Sequence, residues 1–150
     1  MTREPADSDC VFCEIVSGLR SACTVYEDQD FIAFLDSVPL FPGHVLLSPR
    51  EHYETLLDLP KELAGKAMSA TQLLARAVES AMNAEGTFIA INNRVSQTVP
   101  HLHIHIVPRR RRDGLRGFFW PRQKYKDETA KEAVRDGIAR EIRKLQKTDA

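Results

Sequence analysis

The sequence predicts an α+β domain built on a mainly antiparallel five-stranded sheet, with one long central helix and a C-terminal helix. Three observations carry this. Short apolar stretches alternate with turn residues over 24–49 and 87–107. Between Asp58 and Gly86 the apolar period changes from two to about 3.6. A second helical stripe then closes the chain. At 150 residues the length suits one domain with its own core, expected over 10–150 after a flexible stretch at 1–9.

Cys10 to Gly18 reads as a short helical turn or loop anchored by Phe12, Ile15 and Val16. Thr24–Glu27 and Phe31–Leu35 flank Asp28-Gln29-Asp30 and so read as a hairpin. Pro39, Pro42 and Gly43 make a loop before a third strand, His44–Pro49, which its proline ends. Leu63, Ala67, Thr71, Leu74, Val78 and Ala81 recur at helical spacing, with Pro60 placed in a first turn and Gly86 as the stop. Thr87–Asn92 is the fourth strand, and Gln97–Val107 the fifth. Arg109 to Arg112 and an aromatic segment with Phe118, Phe119 and Trp120 follow, and such a segment is expected to pack on a core, a ligand or a second subunit. The closing helix spans roughly 127–146, with Val134, Ile138, Ile142 and Leu145 on one stripe.

Hydrophobic content of 43% and charged content of 28% are those of an ordinary globular chain. No apolar run is long enough for a membrane span or a secretory signal, so the expected location is the cytoplasm. The net charge is zero but uneven: residues 1–60 hold Arg3, Arg20 and Arg50 against eleven acidic groups, while 101–126 hold eight basic groups against Asp113. That basic tract suits a phosphate-bearing ligand or an ordinary solvated loop. The three cysteines cannot all pair within one chain, and Cys10-Val11-Phe12-Cys13 has the spacing of a metal or redox pair.

The chemistry concentrates in His101-Leu102-His103-Ile104-His105. On a strand, side chains alternate between faces, so three histidines share one face and Leu102, Ile104 and Ile106 the other. The two remaining histidines of the chain, His44 and His52, bracket the third strand. Alternating imidazoles can hold a metal, or serve nucleophilic and acid–base catalysis near neutral pH.

These residues resemble the histidine triad superfamily. His101 to Pro108 matches its His-φ-His-φ-His-φ-φ signature. Cys10 to Gly18 resembles its N-terminal opening, Phe34-Leu35-Asp36 its nucleoside-binding strand end, and Pro42 to His52 its Gly-His to Pro-x-x-His segment. The resemblance implies the HIT-like fold and a bacterial-type nucleotide hydrolase acting at the α-phosphate of adenosine phosphoramidates, dinucleoside polyphosphates or related nucleotides. In that reading His103 attacks phosphorus to give a nucleotidyl-histidine, His105 contacts phosphoryl oxygens and protonates the leaving group, and His44 completes the relay. Gln97, Thr98 and either Asn92 or Asn93 would contact phosphate, and Asp36 the ribose hydroxyls. Zinc would be held structurally by Cys10, Cys13, His52 and His101, and the protein would be a homodimer.

One departure stands out: Asn92 to Gln97 is shorter than the family's Asn-x-Gly-x-x-x-Gly-Gln loop and contains no glycine, and Arg94 could supply a charge there. The alternatives are a nucleotidyltransferase or phosphorylase sharing the same intermediate, a noncatalytic nucleotide- or nucleic-acid-binding module using the basic aromatic segment, and a hydrolase whose triad itself holds the metal. Nucleic acid is the less favoured partner, because the aromatic segment suits a dimer contact better.

Overall fold

The computed structural model describes residues 9–116 and 123–148. The expectations for 1–8 and for Phe118, Phe119 and Trp120 lie outside the described residues. Two compact units divide the chain, Met1–Asp113 and Gly114–Ala150.

The first unit contains helix α1 (Val11–Val16), strands β1 (Thr24–Glu27), β2 (Phe31–Leu35) and β3 (Val45–Pro49), helix α2 (Lys61–Met82), and strands β4 (Gly86–Ala90) and β5 (Ile104–Arg109). The strands form one sheet in the order β1-β2-β3-β5-β4, and every neighbouring pair is antiparallel. The fold class is therefore the expected one.

Both faces of the sheet centre are covered, which explains the unbroken burial along β3 and nearly all of β2. On one face Phe31, Ala33, Val45, Leu47, Ile104 and Ile106 pack with Ala67, Ala70, Leu74 and Val78 of α2. On the other, Ile32, Phe34 and Leu46 pack with Cys10, Phe12 and Cys13 around α1. Pairing of Leu46 with His105 places that histidine on the α1 face.

Several boundaries differ from expectation, among them the fourth strand, which runs Gly86–Ala90, not Thr87–Asn92. The fifth strand starts at Ile104, not Gln97. Upstream peptide groups serve other partners: the His101 N–H bonds back to Val99 O at 2.8 Å, and the Leu102 N–H reaches Tyr53 O at 2.6 Å. Alternation persists without the ladder, since Leu102 joins the α2-side core while His101 and His103 meet Phe12. The central helix begins after Pro60, which is its N-cap. Leu56–Asp58 forms a separate 3-10 turn because Thr55 and Asp58 cap each other reciprocally. That helix ends at Asn83, whose left-handed φ of 49° closes it three residues before Gly86.

In the second unit, helix α3 (Glu128–Thr148) covers the expected span and buries no residue; Val134, Ile138, Ile142 and Leu145 are all exposed. Among the described residues no helix is long and apolar enough to cross a membrane.

The basic run has structural work. Arg109 binds the Asp113 carboxylate at 2.6 Å, Arg110 donates to the Met82 carbonyl at the end of α2, and the Arg111 N–H donates to Glu85 at 2.7 Å. These contacts fasten the β5 exit to the α2–β4 corner.

Candidate metal centre and histidine relay

Four residues predicted as metal ligands converge. Cys10 caps α1, Cys13 lies in its first turn, His52 follows β3, and His101 precedes β5. The Nδ1 atom of His101 is 3.3 Å from Cys10 Sγ and 3.5 Å from Cys13 Sγ, and Cys13 Sγ is 3.3 Å from His52 Nδ1. All four ligand atoms lie within 4.8 Å of one another. A tetrahedral zinc with bonds of about 2.3 Å to sulfur and 2.0–2.1 Å to nitrogen sets S···N edges near 3.5 Å. The observed spacings match those edges.

The protonation pattern agrees. His101 Nε2 sits 2.9 Å from the Pro49 carbonyl, which can only accept, so this nitrogen carries the proton. Nδ1 then turns its lone pair toward the two thiols, as a metal ligand must. Burial pushes this imidazole down to about 4, against the Pro49 hydrogen bond, which favours the charged form. The donor set fits a structural zinc.

Beyond this cluster the triad continues. His103 is buried, and its Nδ1 donates to the carbonyl of His101 at 2.7 Å. A carbonyl partner fixes the proton on Nδ1 and leaves the Nε2 lone pair free. Phe12 stands edge-on to the His103 ring at a centroid distance of 5.1 Å, and to His101 at 5.8 Å. One six-residue helix and its N-cap thus carry both cysteine sulfurs and the aromatic side chain that walls in the central histidine.

His105 follows with its ring centroid 4.9 Å from that of His103. Its Nδ1 is 3.0 Å from Nε2 of His44, and His44 Nδ1 accepts the Leu40 N–H at 3.1 Å. Because an amide can only donate, His44 carries its proton on Nε2 and passes a hydrogen bond to His105, which therefore bears its own proton on Nε2. Burial pushes His105 down to about 4, reinforced by the neighbouring His103 and His44. His44 is also lowered, chiefly by burial, with Asp36 opposing. Two rings two positions apart thus stand in opposite tautomers, His103 offering a lone pair and His105 an N–H.

Asp36, His44 and His105 also gather at metal-binding spacing. The Leu40 amide makes them a poor metal site, because it holds the proton on the His44 nitrogen that faces His105. Among the described residues His101, His103 and His105 do not themselves gather at metal-binding spacing, which speaks against a triad that itself ligates the metal.

The residues before the triad divide. Asn93 Oδ1 accepts the Leu56 N–H at 3.1 Å. Gln97 uses Oε1 for the Arg94 N–H at 2.7 Å and Nε2 for the Glu54 carbonyl at 2.6 Å. Both hold this loop against residues 54–56. The Asn92 and Thr98 side chains make no hydrogen bond among the described residues. Arg94 and Ser96 adopt φ of 67° and 60°, so the left-handed geometry that glycine gives cheaply is reached here without it. Asp36 bonds through Oδ1 to the Val38 N–H at 2.9 Å, and Oδ2 stands 3.7 Å from His44 Nδ1. Sequence reasoning missed Phe12 as a wall of the triad and Leu40 as a partner of His44. A backbone donor leaves no trace in residue type.

Comparisons with known proteins extend these findings. The HIT domain model matches residues 20–112. A HIT-like protein of Mycobacterium tuberculosis is 40% identical over 108 residues, covering 71% of this chain and 75% of its own. An adenylylsulfatase of Arabidopsis thaliana is 36% identical over 110 residues, 72% of this chain and 56% of its own. The adenosine 5'-monophosphoramidase of Saccharomyces cerevisiae is 32% identical over 122 residues, 78% and 73% respectively. Among solved structures, a Streptococcus mutans protein superposes with a TM-score of 0.84 at 34% identity, covering 95% of this chain and 90% of its own. A zinc-bound histidine triad family protein from Mycobacterium smegmatis gives a TM-score of 0.68 at 38% identity, covering 88% and 94%. On its matched domain, its fold and its ordered histidine motif, this chain belongs to the HIT domain family.

Proposed function

We propose that the protein is a nucleotide hydrolase cleaving at the α-phosphate of adenosine phosphoramidates, dinucleoside polyphosphates or related nucleotides. The observation that carries this is the contrast in hydrogen-bond partners, a carbonyl at His103 Nδ1 and the amide-anchored His44 at His105 Nδ1, which calls for opposed tautomers. His103 Nε2 attacks the α-phosphorus, the P–N bond forms, and the bond to the leaving oxygen or nitrogen breaks with its electron pair going to the leaving atom, toward which the His105 Nε2–H donates a hydrogen bond as charge builds there. Water then attacks the nucleotidyl-histidine, the P–N bond breaks to return His103 to its neutral form, and the proton released from water passes to solvent. His44 holds His105 in register, Asp36 takes the ribose hydroxyls, and Thr98, Asn92 and the remaining Gln97 N–H offer phosphate contacts, with Asn93 supporting the loop.

Both named relatives with an assigned activity act on adenosine phosphate derivatives, according to their names. Cys10, Cys13, His52 and His101 hold a structural zinc, which neutralises two thiolates and fixes α1. The protein works as a cytoplasmic homodimer, with β4 at the sheet edge and its half-exposed Ile89 available to a second copy.

The test is a turnover panel comparing adenosine phosphoramidate with diadenosine polyphosphates, with and without phosphate. His103→Ala is expected to lose activity on the order of 10⁴-fold with its fold retained. Near wild-type turnover in that variant would remove the assignment. Phosphate-dependent formation of a nucleoside diphosphate would instead favour the phosphorylase variant of the same intermediate.

A further inference from the structure

We propose that the backbone N–H of Leu40, in the loop between β2 and β3, is the positioning group that makes His105 a hydrogen-bond donor. The proposal deepens the reading above by assigning the source of His105's role. Two groups compete for His44 Nδ1. The Leu40 N–H points at it from 3.1 Å, and the Asp36 carboxylate stands 3.7 Å away, beyond hydrogen-bonding reach.

The two partners have opposite consequences. A carboxylate would draw the proton onto Nδ1, leaving His44 Nε2 to accept from His105 Nδ1–H, and His105 would then face substrate with a bare lone pair. An amide donor reverses every step. His44 Nδ1 accepts, its Nε2–H donates to His105 Nδ1 at 3.0 Å, and His105 faces outward with an N–H. His44 is 3% exposed, so water offers little alternative partnership. A doubly protonated His44 would set two donors against each other at Leu40, so the geometry disfavours the cation as well as the other tautomer.

The loop is built to aim that amide. Asp36 Oδ1 accepts the Val38 N–H at 2.9 Å, the Asp36 N–H reaches the His44 carbonyl at 2.9 Å, and the His44 N–H reaches the Phe41 carbonyl at 3.1 Å. Asp36 is therefore engaged in shaping the turn that brings its competitor to His44. The Leu40 side chain is 53% exposed, so the contribution belongs to the main chain and would survive changes of residue type.

The decisive measurement is the histidine side-chain ¹⁵N–¹H correlation spectrum of the full, metal-loaded chain without substrate. The expected result is an Nε2–H tautomer for both His44 and His105 and an Nδ1–H tautomer for His103. An Nδ1–H tautomer at His44 would overturn the proposal whatever the enzyme does. Leu40→Pro removes the N–H at a position whose φ is not positive. It should redistribute the tautomers of His44 and His105 and lower kcat by about 10²-fold, the scale of losing one donor aimed at developing charge, with KM held within about twofold. Leu40→Ala keeps the amide and should keep the wild-type tautomers. A Leu40→Pro spectrum identical to wild type would refute the lock. Because the spectrum needs no substrate, a protein with the expected tautomers but no nucleotide turnover would retain the lock and lose the proposed activity. Should Leu40→Pro not fold, the wild-type spectrum decides alone.

Discussion

Cys13→Ser is the sharpest perturbation of the metal centre, because Cys13 Sγ is the atom that approaches both histidine ligands, at 3.3 Å to His52 and 3.5 Å to His101. Its loss removes two of the S···N edges that define the tetrahedron and leaves a hard hydroxyl where zinc prefers a thiolate. A metal that binds the folded chain stabilises it by mass action, about 2.7 kcal/mol at a free concentration a hundredfold above Kd. For a domain of this size each kcal/mol moves Tm by about 2–4 °C, so stripping the metal should lower Tm by about 5–10 °C. Elemental analysis should find one zinc per wild-type chain and much less in the variant, and chelator should lower the wild-type melt while leaving the variant nearly unchanged. Equal metal content, or a chelator-insensitive wild-type melt, would refute the four-ligand site.

Other outcomes test the surrounding fold. Gly43 has φ of 92°, and an added Cβ would lie 2.6 Å from Met82 Cγ. Backbone strain and overpacking together should make Gly43→Ala cost about 2–4 kcal/mol by urea denaturation, with Met82→Ala restoring only the packing share; a loss under about 1 kcal/mol would contradict this. His105 is held down at about 4 against an ordinary value near 6.5, so the unfolded chain binds the proton first and acid favours unfolding. Stability contributed by keeping this ring neutral is present above about pH 6.5 and lost as pH falls toward 4. Denaturation midpoints of wild type and His105→Asn should therefore converge over that window, and parallel profiles would show that His105 does not titrate as described.

Much of the fold was legible because each periodic segment is also a packing unit. The apolar residues at helical spacing from Ala67 to Val78 do line one core, and the hairpin residues appear at their expected bounds. Alternation makes the fifth strand read longer than it is, because it reports side-chain direction and says nothing of where peptide groups bond. His101 and Leu102 alternate as strand residues do, yet their N–H groups go to Val99 and Tyr53. The apolar period alone does not separate Leu56–Asp58 from the long helix; the Thr-x-x-Asp capping pattern does. That Cys10, Cys13, His52 and His101 come together was legible through the family resemblance, which sets all four in one motif order. That Asn93 braces its loop was not, because its partner Leu56 lies thirty-seven positions away in sequence.

The backbone partners of the histidines bear on any attempt to move this chemistry elsewhere. His101 owes its proton position to the Pro49 carbonyl, His103 to the His101 carbonyl, and His44 to the Leu40 amide. Chemically identical side chains are thereby given different tasks by main-chain atoms from three segments. Grafting the five-residue histidine segment into another scaffold would transplant the rings and leave their instructions behind. A working transplant would need the β2–β3 loop and the end of β3 to travel with it.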